Sequence, residues 1–179
     1  MRKLRKLLMS LVLVVALVAS FATPVLAADP VVTITMSALT IAITNSQDTW
    51  AIGPVEVDDV VYFSATGAQD DDYSQIENTG NVAVDIEIQG TDAEGGAYDW
   101  ALQAAAGDKI YSLYANTELA PTVYDVEVKS SIYVDLIANL VVDDLHDWSL
   151  KFTAPTIFDA ADTGANKTAT VTLVASEHV

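Results

Sequence analysis

Apolar and polar positions alternate along most of the chain beyond residue 27, and a period of two marks strands with one buried and one wet face. The clearest run follows the turn signal Asn78-Thr79-Gly80: Val82, Val84, Ile86 and Ile88 share one face, Asn81, Ala83, Asp85, Glu87 and Gln89 the other, and Gly90 closes it. The same pattern recurs at Tyr98, Trp100 and Leu102, at Tyr124, Val126 and Val128, and at Ile132, Val134 and Leu136. It returns at Trp148, Leu150 and Phe152, and at Ala169, Val171, Leu173 and Ala175. Val55 with Val57, Ile110 to Tyr114 and Leu140 to Val142 read as further short strands, and Val60-Val61-Tyr62-Phe63 is a more continuous apolar run. Gly53-Pro54, Gly95-Gly96 and Gly107-Asp108 punctuate them. No window carries apolar residues at helical spacing, and residues 116–120 offer one helical turn at most. About eight to ten short strands at this spacing predict an all-β fold, a two-sheet antiparallel β-sandwich of immunoglobulin-like or jelly-roll type.

One segment breaks the rule in an informative way. In residues 31–44, Ile34, Met36 and Ala38 share one face, whereas Leu39, Ile41 and Ile43 share the opposite one. Side-chain parity inverts only if a residue is inserted or the strand changes sheet near Ala38. A first strand split between the two sheets of a sandwich satisfies both halves.

The first 27 residues stand apart. Arg2, Lys3, Arg5 and Lys6 precede an apolar stretch from Leu7 to Val18, and Val25-Leu26-Ala27 supplies small residues for cleavage, so residues 1–27 read as a secretory signal helix removed after Ala27. The apolar run is shorter than the roughly 20 residues a spanning helix requires. What remains, residues 28–179, contains no composition break and reads as one domain at the cell surface or outside it, with no membrane attachment after cleavage.

Cleavage also sharpens the charge. Of eight basic residues only Lys109, Lys129, Lys151 and Lys167 remain, against 25 acidic ones, a net charge of −21. A chain so negative, without arginine, repels phosphate backbones, which excludes nucleic acid as a partner. With no cysteine, the fold rests on its apolar core rather than on disulfides.

Candidate chemistry is sparse. His146 and His178 are the only histidines, there is no thiol, and no nucleophile elbow occurs, so no catalytic residue and no cofactor are assigned and the chain reads as a non-enzyme. His146, beside Asp143, Asp144 and Asp147, reads as a loop histidine in an acidic segment. Calcium is the ion the composition suits, and Asp70, Asp71 and Asp72 on a loop are its candidate ligands, with Asp58-Asp59 and Asp143-Asp144 as further oxygen donors. Tyr73, next to the triple aspartate, is the candidate exposed ligand-stacking residue; Trp100 and Trp148 alternate in phase with leucines and belong to the core. Asn166-Lys167-Thr168 has the form of a glycosylation acceptor at the turn before the last strand.

The two elements Trp100-Ala101-Leu102 and Trp148-Ser149-Leu150, the second with Leu145 before it and Pro155 after it, resemble the paired motifs of WxL-domain surface proteins of Gram-positive bacteria. The resemblance implies a secreted β-rich module held non-covalently to cell-wall peptidoglycan. The function expected is therefore an exported, non-catalytic structural or adhesive protein of the cell surface or extracellular matrix. Its partners would be itself, as a homo-oligomer or filament assembling through residues 31–44, or a surface polymer. The alternative is a secreted carbohydrate- or peptidoglycan-binding sandwich assisted by calcium.

Overall fold

The computed structural model describes residues 29–38, 43–45, 49–63, 74–118 and 122–179. The segment read as an export signal lies outside them. The described residues are all-β and form a two-sheet sandwich. Its strands are β1 (Val31–Ala38), β2 (Ile43–Asn45), β3 (Thr49–Pro54), β4 (Val60–Phe63), β5 (Ser74–Asn78), β6 (Val84–Gly90), β7 (Ala101–Leu102), β8 (Ile110–Asn116), β9 (Val126–Glu127), β10 (Val134–Leu140), β11 (Leu145–Thr153) and β12 (Asn166–Glu177).

One sheet has the order β10-β6-β12-β1-β3. In the other, β2-β5-β11-β8-β7 form the main path, while β4 pairs with β11 beyond β5 and β9 pairs with β8. The parity inversion is resolved as a change of sheet: β1 lies in the five-stranded sheet and β2 pairs with β5 in the other. Both sheets are mixed rather than purely antiparallel, because β1 runs parallel to β12 and β7 parallel to β8. Side chains alternate identically in either orientation, so the sequence pattern is silent on this point.

Three tryptophans and a phenylalanine pair tie the sheets together. Trp50 of β3 packs on Phe63 of β4 with ring centroids 5.3 Å apart, and Phe63 meets Trp148 of β11 at 6.2 Å. Trp100 stacks parallel to Phe158 at 5.2 Å. Both Trp-x-Leu elements feed the core: Trp100, Leu102, Trp148 and Leu150 are all buried. So are Val84, Ile86 and Ile88 of β6 and Ala169, Val171, Leu173 and Ala175 of β12, as their alternation predicts.

Several expectations are corrected at element ends. Val82 and Ile132 are exposed because their strands begin two residues later, at Val84 and Val134. Val57 is exposed in a turn although Val55 is buried, and Val141 and Val142 are exposed after Leu140 closes β10. Strand β5 escapes the pattern altogether, since its single large apolar residue, Ile76, is flanked by inward-facing Ser74 and Asn78. Asn78 has a structural reason to be inside. Its amide Nδ2 donates to the carbonyls of Val82 and Leu140 at 2.9 and 2.8 Å, and its Oδ1 accepts from the Gly80 amide at 3.0 Å. Its own backbone exchanges hydrogen bonds with Asp143 and Asp144, so one residue fastens two turns together.

Candidate functional site

The candidate calcium ligands Asp70, Asp71 and Asp72 and the candidate stacking residue Tyr73 lie outside the described residues. The other acidic pairs build turns. Asp58 and Asp143 adopt left-handed φ values of 61°, and the Asp59 carboxylate accepts from the Glu56 amide at 2.7 Å. Asp147 accepts from Gln75 Nε2 at 2.8 Å across the β5–β11 pair. Among the described residues, no group of three or more acidic or histidine side chains is arranged to hold a metal ion. Among them too, no helix is long and apolar enough to cross a membrane.

The densest polar chemistry lies where β12 begins. Lys167 is fully buried, in phase with Ala169, Val171 and Leu173 on the inner face of β12. Its ammonium donates to the carbonyls of Gly95 and Tyr98 and lies 3.1 Å from Asp162 Oδ1, with the Trp100 ring centroid at 5.1 Å. Asp162 is equally buried and ends the 3-10 turn Ala160–Asp162; its Oδ1 also accepts from the amides of Ala97 and Tyr98 at 2.9 and 3.3 Å. Glycine is obligatory at the facing turn. A Cβ on Gly96, where φ is +78°, would stand 2.6 Å from Asp162 Oδ1, and one on Gly95 2.2 Å from the Asn166 carbonyl. Lys109 braces the outside of this corner, 3.4 Å from Asp159 Oδ2 and 3.9 Å above the Tyr98 ring. Sequence reading missed the buried lysine although its parity with Ala169 gives it away.

A second carboxylate cluster closes the C-terminal end. Asp85 Oδ1 accepts from the Asn139 amide at 2.8 Å and meets His178 Nδ1 at 2.7 Å, beside a shallow pocket of about 160 Å³ lined by Asp85, Asp135, Ile137, Ala138 and His178. The Asn139 amide holds the Asp85 carboxyl below its usual range, with burial opposing and His178 assisting. At Asp162 burial pushes the carboxyl up, but Lys167 and the two amides outweigh it and the net direction is down. Both groups therefore bind protons more weakly folded than unfolded. The stability they lend is complete above the ordinary carboxylate value of about 4 and is lost as pH falls through the folded values. Urea midpoints measured from about pH 6 to about pH 2 should fall steadily, and Asp162→Asn should flatten that fall. An unaltered slope in the variant would remove Asp162 from the acid response.

Two surfaces have the geometry to meet a partner. The first is the channel occupied by β1. Eight in-register pairs join it to β12, from Val31 opposite Asn166 to Ala38 opposite Leu173, and β3 borders its other side. Val32, Ile34 and Met36 project from it into the core. The second is the outer face of the seven-stranded sheet, where Tyr62, Lys151, Tyr114 and Glu127 stand opposite one another in successive strands β4, β11, β8 and β9. Their neighbours Phe63, Phe152, Leu113 and Ala115 are buried, which fixes these four on the solvent side.

No protein-family model matches the chain, and no curated protein matches it.

Proposed function

We propose that the protein is an exported, non-catalytic structural or adhesive subunit of a cell surface or extracellular matrix, assembling by lending its first strand to a neighbouring copy. The observation that carries this reading is the position of β1. It is the first of the described strands, yet it lies inside a sheet, between β12 and β3. Once residues 1–27 are cleaved away as an export signal, β1 is a segment near the new N-terminus that another copy can supply with the same side chains and hydrogen bonds, so exchange requires no new interface. The edges of the five-stranded sheet offer a poorer route. β10 carries two register shifts and a left-handed Asn139, and β3 ends in Gly53-Pro54. Irregular edges of this kind resist simple strand addition.

The test is to lock β1 at home. Thr35 and Thr170 are paired across β1 and β12, on the face opposite the buried Ile34 and Ala169. Neighbouring strands lie about 4.8 Å apart, inside the span a disulfide bridges. No native cysteine competes with the engineered pair Thr35→Cys/Thr170→Cys. Light scattering after size exclusion, with electron microscopy, should find polymers of the wild type and of the reduced variant, and monomers of the oxidised variant. Polymers formed by the oxidised protein, or a wild type monomeric at every concentration, would refute exchange.

A further inference from the structure

We infer that Asn166 is a covalent modification site, whose carboxamide carries an N-linked oligosaccharide in the exported protein. The inference rests on the export reading and is independent of strand exchange.

Asn166-Lys167-Thr168 is the only Asn-x-Ser/Thr triplet in the chain, and such a triplet carries weight where the fold presents it to solvent. Here the fold does so for a definite reason. Lys167, the middle residue, is drawn fully inside by Asp162 and by the carbonyls of Gly95 and Tyr98. Side chains alternate along a strand, so burial of Lys167 turns Asn166 and Thr168 outward together. Both are exposed. The carboxamide and the hydroxyl that define the triplet therefore lie on one face.

Other asparagines have structural duties. Asn78 is buried and fastens two turns. Asn116 Nδ2 donates to the Val123 carbonyl at 3.0 Å and to Asp125 Oδ1 at 3.2 Å, while its Oδ1 accepts from the Glu118 amide at 2.7 Å. Asn139 supplies a left-handed φ of 56°. By contrast, the side chains of Asn166 and Thr168 make no hydrogen bond among the described residues. Val31 stands opposite Asn166, and Thr33 and exposed Glu94 flank Thr168, so a sugar leaving Asn166 meets small or exposed neighbours on its way to solvent.

The backbone sets the order of events. Thr168 exchanges hydrogen bonds with Glu94 at 2.8 and 2.9 Å, and the Val31 amide donates to the Ala165 carbonyl at 2.9 Å. Gly95 lies so close that a Cβ there would stand 2.2 Å from the Asn166 carbonyl. A transferase could not lift the triplet into its own site without freeing it from both neighbours. Transfer therefore precedes the docking of β12. In that step Asn166 Nδ2 bonds to the anomeric carbon of a lipid-phosphate-linked oligosaccharide. The anomeric carbon–oxygen bond breaks, the lipid phosphate leaves with the electron pair, and one amide proton passes to a base of the transferase. The product is an uncharged amide, which an exposed strand position accommodates at no electrostatic cost.

The experiment is mass spectrometry of the protein recovered from outside the cells that make it. Cleavage after lysine releases residues 152–167, in which Asn166 is the only asparagine. That peptide should be heavier by an oligosaccharide, and fragmentation should place the sugar on Asn166. Asn166→Gln and Thr168→Ala should each abolish the added mass, and Thr168→Ser, which keeps the hydroxyl, should retain it. Circular dichroism checks that the variants fold; should one fail to fold, fragmentation of the wild-type peptide decides alone. A bare Asn166 in the exported wild type would overturn the site. So would added mass that survives Asn166→Gln, as sugar on Thr153, Thr156 or Thr163 would, or full modification of Thr168→Ala. The N-terminal mass separates this failure from failure of the export reading. A chain beginning at Ala28 with bare Asn166 refutes the site and leaves export standing, whereas a chain that keeps residues 1–27 and stays inside the cell refutes both.

Discussion

Replacing Lys167 by methionine is expected to lower folding stability by about 3–5 kcal/mol, the loss that follows when one partner of a buried ion pair is removed and the other stays. Methionine has nearly the volume and reach of lysine, so packing against Trp100 is largely kept and the deficit is electrostatic. Asp162, fully buried, would keep only the amides of Ala97 and Tyr98, and the carbonyls of Gly95 and Tyr98 would lose their donor. Against a total stability of about 5–15 kcal/mol such a change is large, and it should appear as a clear fall in the urea midpoint with little change in slope. Adding Asp162→Asn should recover part of the loss, because the second charge disappears while one oxygen remains for the two amides. A deficit below about 1 kcal/mol in the single variant would mean that water reaches the carboxylate and that the corner is not closed.

This corner also shows where a sequence is legible and where it is not. From Lys167 to Ala175 every second residue of β12 is buried, so the lysine announces itself by parity alone. What no local pattern reveals is its partner. Asp162 lies five residues earlier on a separate turn, and the carbonyls of Gly95 and Tyr98 come from more than 60 residues away. Alternation reports which face a side chain takes; it does not report which chain segment lies opposite. The same limit hides β5, where Ser74 and Asn78 occupy inward positions that composition reads as turn. It also hides the parallel pairing of β1 with β12. By contrast, the change of sheet after Ala38 was readable from residues 34 to 43, because inverted parity has few physical solutions.

The candidate surfaces divide in the same way. Tyr62, Tyr114, Lys151 and Glu127 are each unremarkable in the sequence, and they become a rank only through the registers of three strand pairs. The aspartates attracted notice because they are adjacent in sequence. At Asp58-Asp59 and Asp143-Asp144, adjacency serves turns: short acidic side chains tolerate left-handed backbone and accept from nearby amides. Among the described residues these two acidic pairs therefore mark chain reversals, whereas the rank on the sheet face is assembled by pairing between distant strands.

Deleting residues 29–38 should abolish cooperative folding, and supplying the same ten residues as a free peptide should restore it. Burial of Val32, Ile34 and Met36 contributes roughly 5–9 kcal/mol by transfer from water, comparable with the whole stability of a domain. The deletion also strips hydrogen-bond partners from β12 and β3, on both sides of the channel. A strand at the margin of a sheet would be lost at smaller cost; β1 lies inside one. The truncated chain should therefore show a broad, low-amplitude transition by circular dichroism, and stoichiometric peptide should return a sharp one. That rescue is the step a neighbouring subunit performs in strand exchange, separated from polymerisation because the peptide carries no domain. A truncated chain that unfolds as cooperatively as the full one would show that β1 contributes little. Failure of the peptide to rescue a collapsed chain would show that the channel closes only around its own covalently attached strand, and exchange between copies would then have no physical basis.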